Sequence, residues 1–272
     1  MLGDPNMHCK SFECSYFGVH LILVQALAIR GTAMLSPTAV DYLETIYNIA
    51  AEGDAVVGAR LAEKFHVAPA TVTEMLHRLQ RESYITMDRA TGPVLTDDGL
   101  VAAESGLRRH RLAERFLAEI LGMDWITAHE EAHALQRAMT PAIEERVVSV
   151  LGNPTTCPHG NPIPGSGLNT REYLRDHHAE RLSSVAVGAP VELLCTSEVV
   201  EDESTLLRYL SEKGLQPGIA ITVRDSGPDE TSPLMLEVDG RPVALGRDVA
   251  RRIWVYPATH APNPRPAFAG TV

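Results

Sequence analysis

Histidine and glutamate recur at helical spacing in one segment near the middle of the chain, HRLAERFLAEILGMDWITAHEEAHALQR, residues 110–137. His110 and Glu114 are four residues apart, and His129 and His133 repeat that spacing, so each pair shares one face of a helix. Two such faces packed together could enclose a divalent ion. Imidazole with carboxylate suits iron, manganese, cobalt, nickel or zinc, and the spacing does not choose among them. Taken alone, a single HxxxE pair is better explained by an amphipathic helix with a solvated polar face.

The same segment contains an HExxH spacing at His129, Glu130 and His133. A zinc hydrolase with this spacing would use the two histidines as ligands and Glu130 as general base for a metal-bound water. A metallohydrolase is therefore a minor alternative. The elements upstream of this segment, described below, and the additional donors His110 and Glu114 favour an interpretation without catalysis.

The composition is that of an ordinary folded protein with two or three small domains: 272 residues, 44% hydrophobic and 22% charged. The net charge of −11 argues against nonspecific coating of nucleic acid or membrane, although a local basic face remains compatible with it. Four cysteines form no CxxC pair, which indicates free thiols in a reducing compartment, so we expect a cytoplasmic protein.

The first 33 residues carry an apolar stretch over residues 16–29 that is too short to span a bilayer. Met34 precedes a Ser-Pro helix start. We therefore expect residues 1–33 to be an extension that is disordered or not translated.

The elements upstream of the histidine segment predict a winged helix-turn-helix over residues 34–98. Apolar residues at three- and four-residue steps indicate a helix from Ser36 that Gly53 ends. VVGARLAEKFHV and APATVTEMLHRLQRESYI follow as shorter helices, and YITMDRATGPVLTDDG as a two-stranded wing. Thr96 is the expected N-cap of the next helix.

The second short helix is the expected recognition helix. Its first turn offers hydroxyl and methyl groups to base edges in the major groove, from Pro69, Ala70, Thr71 and Thr73. Arginines around it are placed to meet phosphates, namely Arg60, Arg78, Arg81 and Arg89. Without the wing, a helical hairpin with surface arginines would be the better explanation. The wing favours DNA binding.

The rest of the chain predicts a helical domain over residues 99–170, a linker over 171–187 and a small β-barrel over 188–257, giving an α+β fold class. PTTCPHGNPIPGSG is dense in Pro and Gly, which indicates an ordered loop or an interdomain connection. In this loop Cys157 and His159 could add a soft ligand, but a structural cysteine is the expectation. The Pro-rich tail, 258–272, is expected to be disordered.

Taken in order, DYLETIY, ARLAEKF, TVTEMLHRL, LTDDG, HRLAERFLAEILG, HEEA and GNPIPG resemble the diphtheria-toxin-repressor family of iron- and manganese-dependent transcriptional repressors. The likeness runs from about residue 36 to residue 257. It implies a winged helix, a helical metal-binding and dimerisation domain, and a C-terminal SH3-like (FeoA-like) barrel. It also implies that Fe²⁺ or Mn²⁺ binding favours a homodimer that fits double-stranded operator DNA, with no membrane partner.

By matching motifs, the resemblance implies two metal sites. An ancillary-type site would take five ligands: His110, Glu114, His129, Glu198 and Glu201. Near it, Arg111 and Asn161 would contact a capping anion. A primary-type site would take Asp41, Glu44, His133 and Gln136.

The primary-type site departs from the family pattern, because Gln136 and Arg137 stand where relatives have Glu-His. Glutamine offers only a neutral carbonyl oxygen, and a guanidinium has no lone pair for a metal. Arg137 could instead pair with Asp41 or Glu44 and tie the first helix to the dimerisation domain by a salt bridge. A metal-independent DNA-binding relative with a degenerate primary site is therefore the alternative function.

Overall fold

The structure is a computed structural model and describes residues 35–200 and 203–258. The predictions for residues 1–33, for Glu201 and for all but the first residue of the tail lie outside the described residues. Within the described ranges, no helix is both long and apolar enough to cross a membrane.

The N-terminal elements form a helix-turn-helix with a wing, as predicted. They are α1 (Pro37–Ala51), α2 (Gly58–Phe65), α3 (Pro69–Arg81), β1 (Ile85–Asp88) and β2 (Gly92–Leu95). The two strands pair antiparallel, with Ile85 opposite Leu95. On α3 the apolar stripe of Val72, Leu76 and Leu79 is buried, which leaves the opposite face to solvent.

The wing is fastened to the helix that follows it, α4 (Asp97–Glu119). Thr96 caps that helix as predicted, its hydroxyl accepting from the Gly99 N–H at 3.1 Å. Gly99 lies so close to the base of the wing that a Cβ would be 1.9 Å from the Tyr84 carbonyl oxygen. The wing and the start of α4 therefore have little freedom to move apart.

The helical domain consists of α4, α5 (Trp125–Ala138) and α6 (Pro141–Val150). Asp124 and Thr140 cap α5 and α6 through their side-chain oxygens. Ala128 and Ala132 are fully buried in the core that α5 shares with α4. Because these side chains are small, the two helices lie close together and their histidines face each other.

The Pro-Gly segment between α6 and the C-terminal elements is an ordered loop. Its central residues, 157–164, are buried, and Thr156 and Pro162 form an antiparallel bridge. Gly160 has φ +87°, and a Cβ there would lie 2.1 Å from the Leu194 carbonyl oxygen. The loop is therefore held between the helical domain and the C-terminal sheet.

The C-terminal domain is a six-stranded antiparallel sheet with the order β3-β8-β4-β5-β6-β7. Its strands are β3 (Glu180–Arg181), β4 (Pro190–Thr196), β5 (Ala220–Asp225), β6 (Leu234–Val238), β7 (Arg241–Leu245) and β8 (Ile253–Pro257). Its helices are α7 (Thr170–Asp176), a 3₁₀ turn (Leu182–Ser184), α8 (Glu203–Glu212) and α9 (Arg247–Ala250). The mixed helix and sheet architecture confirms the predicted fold class.

The stretch 171–187, treated in the sequence as a linker, carries most of α7, the strand β3 and the 3₁₀ turn. Arg181 pairs with Trp254 of β8, and its guanidinium lies 3.9 Å from the centre of the indole ring. This segment is therefore built into the sheet. Its elements are too short to leave a periodic pattern in the sequence.

Candidate metal centre

A carboxylate surrounded by imidazoles lies between α4 and α5. Oε1 of Glu114 is 3.1 Å from Nε2 of His110, 2.8 Å from Nδ1 of His129 and 3.3 Å from Nδ1 of His159. All four side chains are buried. The structure thus brings together His110, Glu114 and His129, and it adds His159 from the loop.

The donors in this cluster fit a bound cation. Oε2 of Glu114 and Nε2 of His159 are buried without a hydrogen-bond partner among the described residues, whereas buried polar atoms are normally paired. The donor atoms form two groups, and within each group all of them lie within 4.8 Å of one another. One group is His110, Glu114 and His129, and the other is Glu114, Cys157 and His159. Imidazole, carboxylate and thiolate are the ligands that transition metals prefer.

The electrostatics of the cluster favour an ionised carboxylate. Burial alone would raise the pKa of Glu114, but the charges of His159 and His110 and hydrogen bonds from His110 and His129 hold it well below its usual range. Burial likewise opposes the charge on His110, yet Glu114 raises the His110 pKa to about 9. A proton on His110 thus supplies positive charge that a metal ion could supply instead.

Cys157 is part of this cluster, although the sequence favoured a structural role for it. Its Sγ is buried and lies 3.9 Å from Nδ1 of His159. Burial raises the pKa of the Cys157 thiol well above its usual value, so the thiol is protonated in the absence of a cation. The spacing of Cys157 and His159 in the loop was the available signal, but only the fold shows that both reach Glu114.

Glu198, predicted as a ligand from the C-terminal domain, contacts Arg111. Arg111 donates from Nε to Oε1 at 2.9 Å and from Nη2 to Oε2 at 2.7 Å, and Asn48 donates to Oε2 at 2.9 Å. The Glu198 carboxylate thus contacts Arg111 where the prediction placed a capping anion. Asn161, the other predicted anion contact, donates to the Thr196 carbonyl at 3.0 Å. The ligand role of Glu198 stays a prediction.

Three of the four primary-type residues line a cavity of about 450 Å³ beside this centre. Asp41, Glu44 and His133 lie on its wall, as do the following neighbours: Lys64, His110, Arg137, Glu198 and Glu203. Gln136 donates from Nε2 to Oε1 of Glu44 at 2.8 Å, and its Oε1 is 3.2 Å from Nδ1 of His110.

The expected salt bridge from Arg137 to Asp41 or Glu44 is wrong: among the described residues, no ion pair within 4.0 Å joins them. Gln136 faces the core and is buried, whereas Arg137 lies one residue further round the helix and is exposed. The link between α1 and α5 is therefore the neutral hydrogen bond from Gln136 to Glu44. Arg137 acts only at longer range, by lowering the pKa of Asp41 against the larger effect of burial.

The cavity contains groups whose protonation is shifted by burial. Burial raises the pKa of Glu44 to about 7, and the hydrogen bond from Gln136 opposes this only in part. Burial and the charges of His110 and His129 lower the pKa of His133 to about 3. His133 is therefore a neutral imidazole at physiological pH, which is the form that binds metals.

The predicted DNA-reading turn is accessible. Pro69, Ala70, Thr71 and Thr73 are all exposed, and Pro69 is the first residue of α3. Arg81 and Arg89 are also exposed. The other two predicted phosphate contacts are paired within the protein, Arg60 with Asp54 at 2.8 Å and Arg78 with Glu82 at 2.9 Å.

Comparison with known families places this geometry in context. Residues 34–92 match the family described as "Iron dependent repressor, N-terminal DNA binding domain", and residues 96–165 match "Iron dependent repressor, metal binding and dimerisation domain". Residues 181–257 match the "FeoA domain". The chain belongs to the iron-dependent repressor family. The resemblance seen in the sequence is thereby confirmed.

Named members of this repressor family are similar over most of their length. The chain is 34% identical to the iron-dependent repressor IdeR of Mycobacterium tuberculosis over 197 residues, which is 71% of this chain and 83% of the relative. It is 29% identical over 215 residues to the diphtheria toxin repressor of Corynebacterium diphtheriae, covering 78% of this chain and 93% of the relative.

Solved structures of metal-dependent repressors share the fold. ScaR with bound Zn²⁺ superimposes with a TM-score of 0.68 at 30% identity, over 80% of this chain and 99% of that chain. The manganese regulator SloR superimposes with a TM-score of 0.67 at 26% identity, over 82% of this chain and 100% of the SloR chain.

Proposed function

We propose that this repressor-family protein binds double-stranded operator DNA as a homodimer when Fe²⁺ or Mn²⁺ occupies its buried centre, and so represses genes of iron or manganese homeostasis. The observation that carries the proposal is the buried Glu114 carboxylate, which contacts three imidazoles and has one oxygen without a hydrogen-bond partner in the described part of the chain. The named relatives and structural neighbours are metal-dependent repressors. Because the target is DNA, we place the protein in the cytoplasm.

The residues that would hold the ion come from separate elements. His110 and Glu114 lie on α4, His129 lies on α5, and Cys157 and His159 lie on the buried loop. When bound, the ion supplies the positive charge that the carboxylate otherwise draws from protonated imidazoles. Because the donors belong to three elements, occupancy favours the single arrangement in which all of them converge.

The helix α4 connects this centre to the DNA-binding unit. Its first turn is fixed to the wing by Thr96 and Gly99, and its second half carries His110 and Glu114. A change in where α4 packs therefore moves the wing and the recognition helix together. In a symmetric dimer, this sets the distance between two recognition helices that must reach half-sites about 34 Å apart, roughly one turn of DNA.

A metal-independent repressor is the second candidate, and the observation that favours it is the bond from Gln136 to Glu44. This bond, at 2.8 Å, already joins α5 to α1 across the primary-type cavity. A protein held in this way would keep part of its DNA-binding geometry without an ion.

The arrangement of Glu130 supports a regulator over the metallohydrolase alternative. A general base must lie within hydrogen-bond reach of the reacting water. Glu130 is about half exposed and lies 3.6 Å from Arg208, outside the cavity that His133 lines.

Selection of bound sequences from random double-stranded DNA, followed by fluorescence anisotropy, tests the proposal. We expect Mn²⁺, or Fe²⁺ without oxygen, to tighten binding to the selected DNA by at least about tenfold, which corresponds to a coupling of roughly 1.4 kcal/mol. Glu114→Gln should lose most of this metal effect, whereas the exposed Glu145→Gln, the matched control for a change of carboxylate outside the centre, should keep it. Equal affinity with metal and with chelator would support the metal-independent alternative. No sequence enrichment under either condition would refute both.

A further inference from the structure

Lys64 carries a positive charge from the helix-turn-helix into the cavity beside the metal centre. It lies in the last turn of α2, the helix that precedes the recognition helix. Its Nζ is 3.3 Å from Oε2 of Glu203 and donates to the backbone oxygen of Glu198 at 3.1 Å. Glu203 is the first residue of α8. The lysine therefore joins the DNA-binding unit to the C-terminal domain.

Glu203 also faces a residue of the proposed metal centre. Its Oε2 lies 3.9 Å from Nε2 of His129, while Nδ1 of the same imidazole contacts Glu114. His129 thus has a carboxylate on each side. The side chain of Glu203 is only 13% exposed, so its charge requires a nearby cation. The sequence did not single out Glu203, because its partners lie far away in the chain.

We infer that Lys64 and the bound metal ion compete for Glu203, so that Lys64 serves as the counter-cation of this carboxylate in the metal-free protein. The inference rests on the proposed function, because it requires a cation at His129. An ion bound at Glu114 would lie next to this imidazole, and its divalent charge would attract the Glu203 carboxylate more strongly than an ammonium does at the same distance. Metal binding would then weaken the ion pair between Lys64 of α2 and Glu203 of α8.

If Lys64 competes with the metal ion, removing its charge changes the metal affinity in the opposite direction from the loss of a purely structural lysine. An ammonium close to a metal site repels the incoming cation, so removing its charge strengthens metal binding. A lysine that only holds the domains together would have the opposite effect, because its loss would loosen the site. The direction of the change in affinity therefore separates the two roles.

Calorimetric titration of the full chain with Mn²⁺ provides the test. We expect Lys64→Gln to bind Mn²⁺ about tenfold or more tightly than wild type, since the amide keeps a hydrogen-bond donor but carries no charge. Lys64→Arg keeps the charge and should leave the affinity within about twofold of wild type. Lys213→Gln, a change of a lysine beside Tyr209, is the matched control and should have no effect.

A double-mutant cycle with Glu203→Gln shows whether the effect passes through Glu203. We expect the gain from Lys64→Gln to disappear in the Glu203→Gln background. An unchanged or weaker affinity of Lys64→Gln, or a gain that persists without Glu203, would overturn the inference while leaving the proposed function intact. If neither wild type nor Lys64→Gln binds Mn²⁺, the proposed function itself fails.

Discussion

Glu114 is the central residue of the proposed metal centre, because three imidazoles contact the same carboxylate oxygen. Replacing it with glutamine keeps the shape of the side chain but removes its charge and one donor oxygen. We expect Glu114→Gln to lower Mn²⁺ affinity by at least about 100-fold, since even loss of an outer partner of a metal ligand costs 10- to 100-fold. Calorimetry on the folded variant measures this. Unchanged affinity would place the ion elsewhere.

The protonation of His110 predicts how the stability of the metal-free protein depends on pH. The folded-state pKa is raised from 6.5 to about 9, so the stabilisation is present in full below pH 6.5 and is lost as pH rises through 9. The shift corresponds to roughly 3 kcal/mol. The raised pKa of Glu44, about 7, acts in the same direction.

We therefore expect the free energy of unfolding in chelator to fall between pH 6.5 and pH 9.5, with a smaller fall in His110→Gln. Urea denaturation at the two pH values measures this. Metal affinity should rise over the same interval, because binding displaces the proton. A flat profile in wild type would show that His110 is not protonated in the fold.

The ligand spacing on α4 and α5 was predictable at the level of single residues, because helical periodicity alone places His110 with Glu114 and His129 with His133. The roles of Cys157 and His159 were not. They lie in an irregular loop without periodicity, and only its packing against Glu114 brings them into the centre. The direct pairing of Arg111 with Glu198 was not predicted either, since the resemblance placed both at one site but as an anion contact and a metal ligand.

At the level of elements, the close approach of α1 to α4 depends on Gly106. A Cβ at this position would lie 1.9 Å from Oε1 of Glu44 and 2.9 Å from Cγ1 of Val40. We expect Gly106→Ala to destabilise the protein by about 1–3 kcal/mol through overpacking, and to disturb the bond from Gln136 to Glu44. Thermal denaturation measures the loss.

Gly58→Ala is the matched control for this substitution, because Gly58 lies on α2 with nothing within 4 Å of the added Cβ. It should leave stability unchanged or raise it slightly. A loss for Gly106→Ala no larger than that for Gly58→Ala would contradict the packing of α1 on α4 as its cause.

Most of the helices followed from the sequence, since α1 to α5 lie where periodicity and turn residues indicate them. Thr96 caps α4 because its hydroxyl reaches the Gly99 N–H. The stretch 171–187 did not follow. The two residues of β3 acquire their structure from pairing with β8, a long-range contact that local preference does not encode.

At the level of the whole molecule, the C-terminal domain is attached to the DNA-binding unit by polar contacts. Glu52 directly follows α1. Its Oε2 lies 2.7 Å from Nη2 of Arg181 and accepts a hydrogen bond from the Ser197 hydroxyl at 3.0 Å. Arg171 donates to the Ala50 carbonyl at 2.8 Å. With those of Lys64 and Asn48, these contacts connect the helix-turn-helix to the C-terminal domain beside the proposed metal centre.

Dimerisation should use the apolar residues that the helical domain leaves exposed. Ile143 and Val150 on α6 are each 44% exposed, and Leu121 after α4 is 55% exposed. We expect Ile143→Glu to weaken the dimer by about 2 kcal/mol or more, the size typical of a central interface residue. Analytical ultracentrifugation measures this.

Val187→Glu is the matched control for the dimer prediction, since Val187 is 55% exposed but lies in the C-terminal part of the chain. It should leave the dimer unchanged. A dimer weakened by Val187→Glu and not by Ile143→Glu would move the interface to the C-terminal domain.

The metal centre is tested most directly by a crystal structure of the protein grown with Mn²⁺, with data collected at the manganese absorption edge. The account predicts an anomalous peak beside Glu114, at coordination distance from its carboxylate and from imidazole nitrogens of His110 and His129. If a crystal grown in excess Mn²⁺ showed no anomalous peak beside these side chains, or a peak only at other residues, the account would be contradicted.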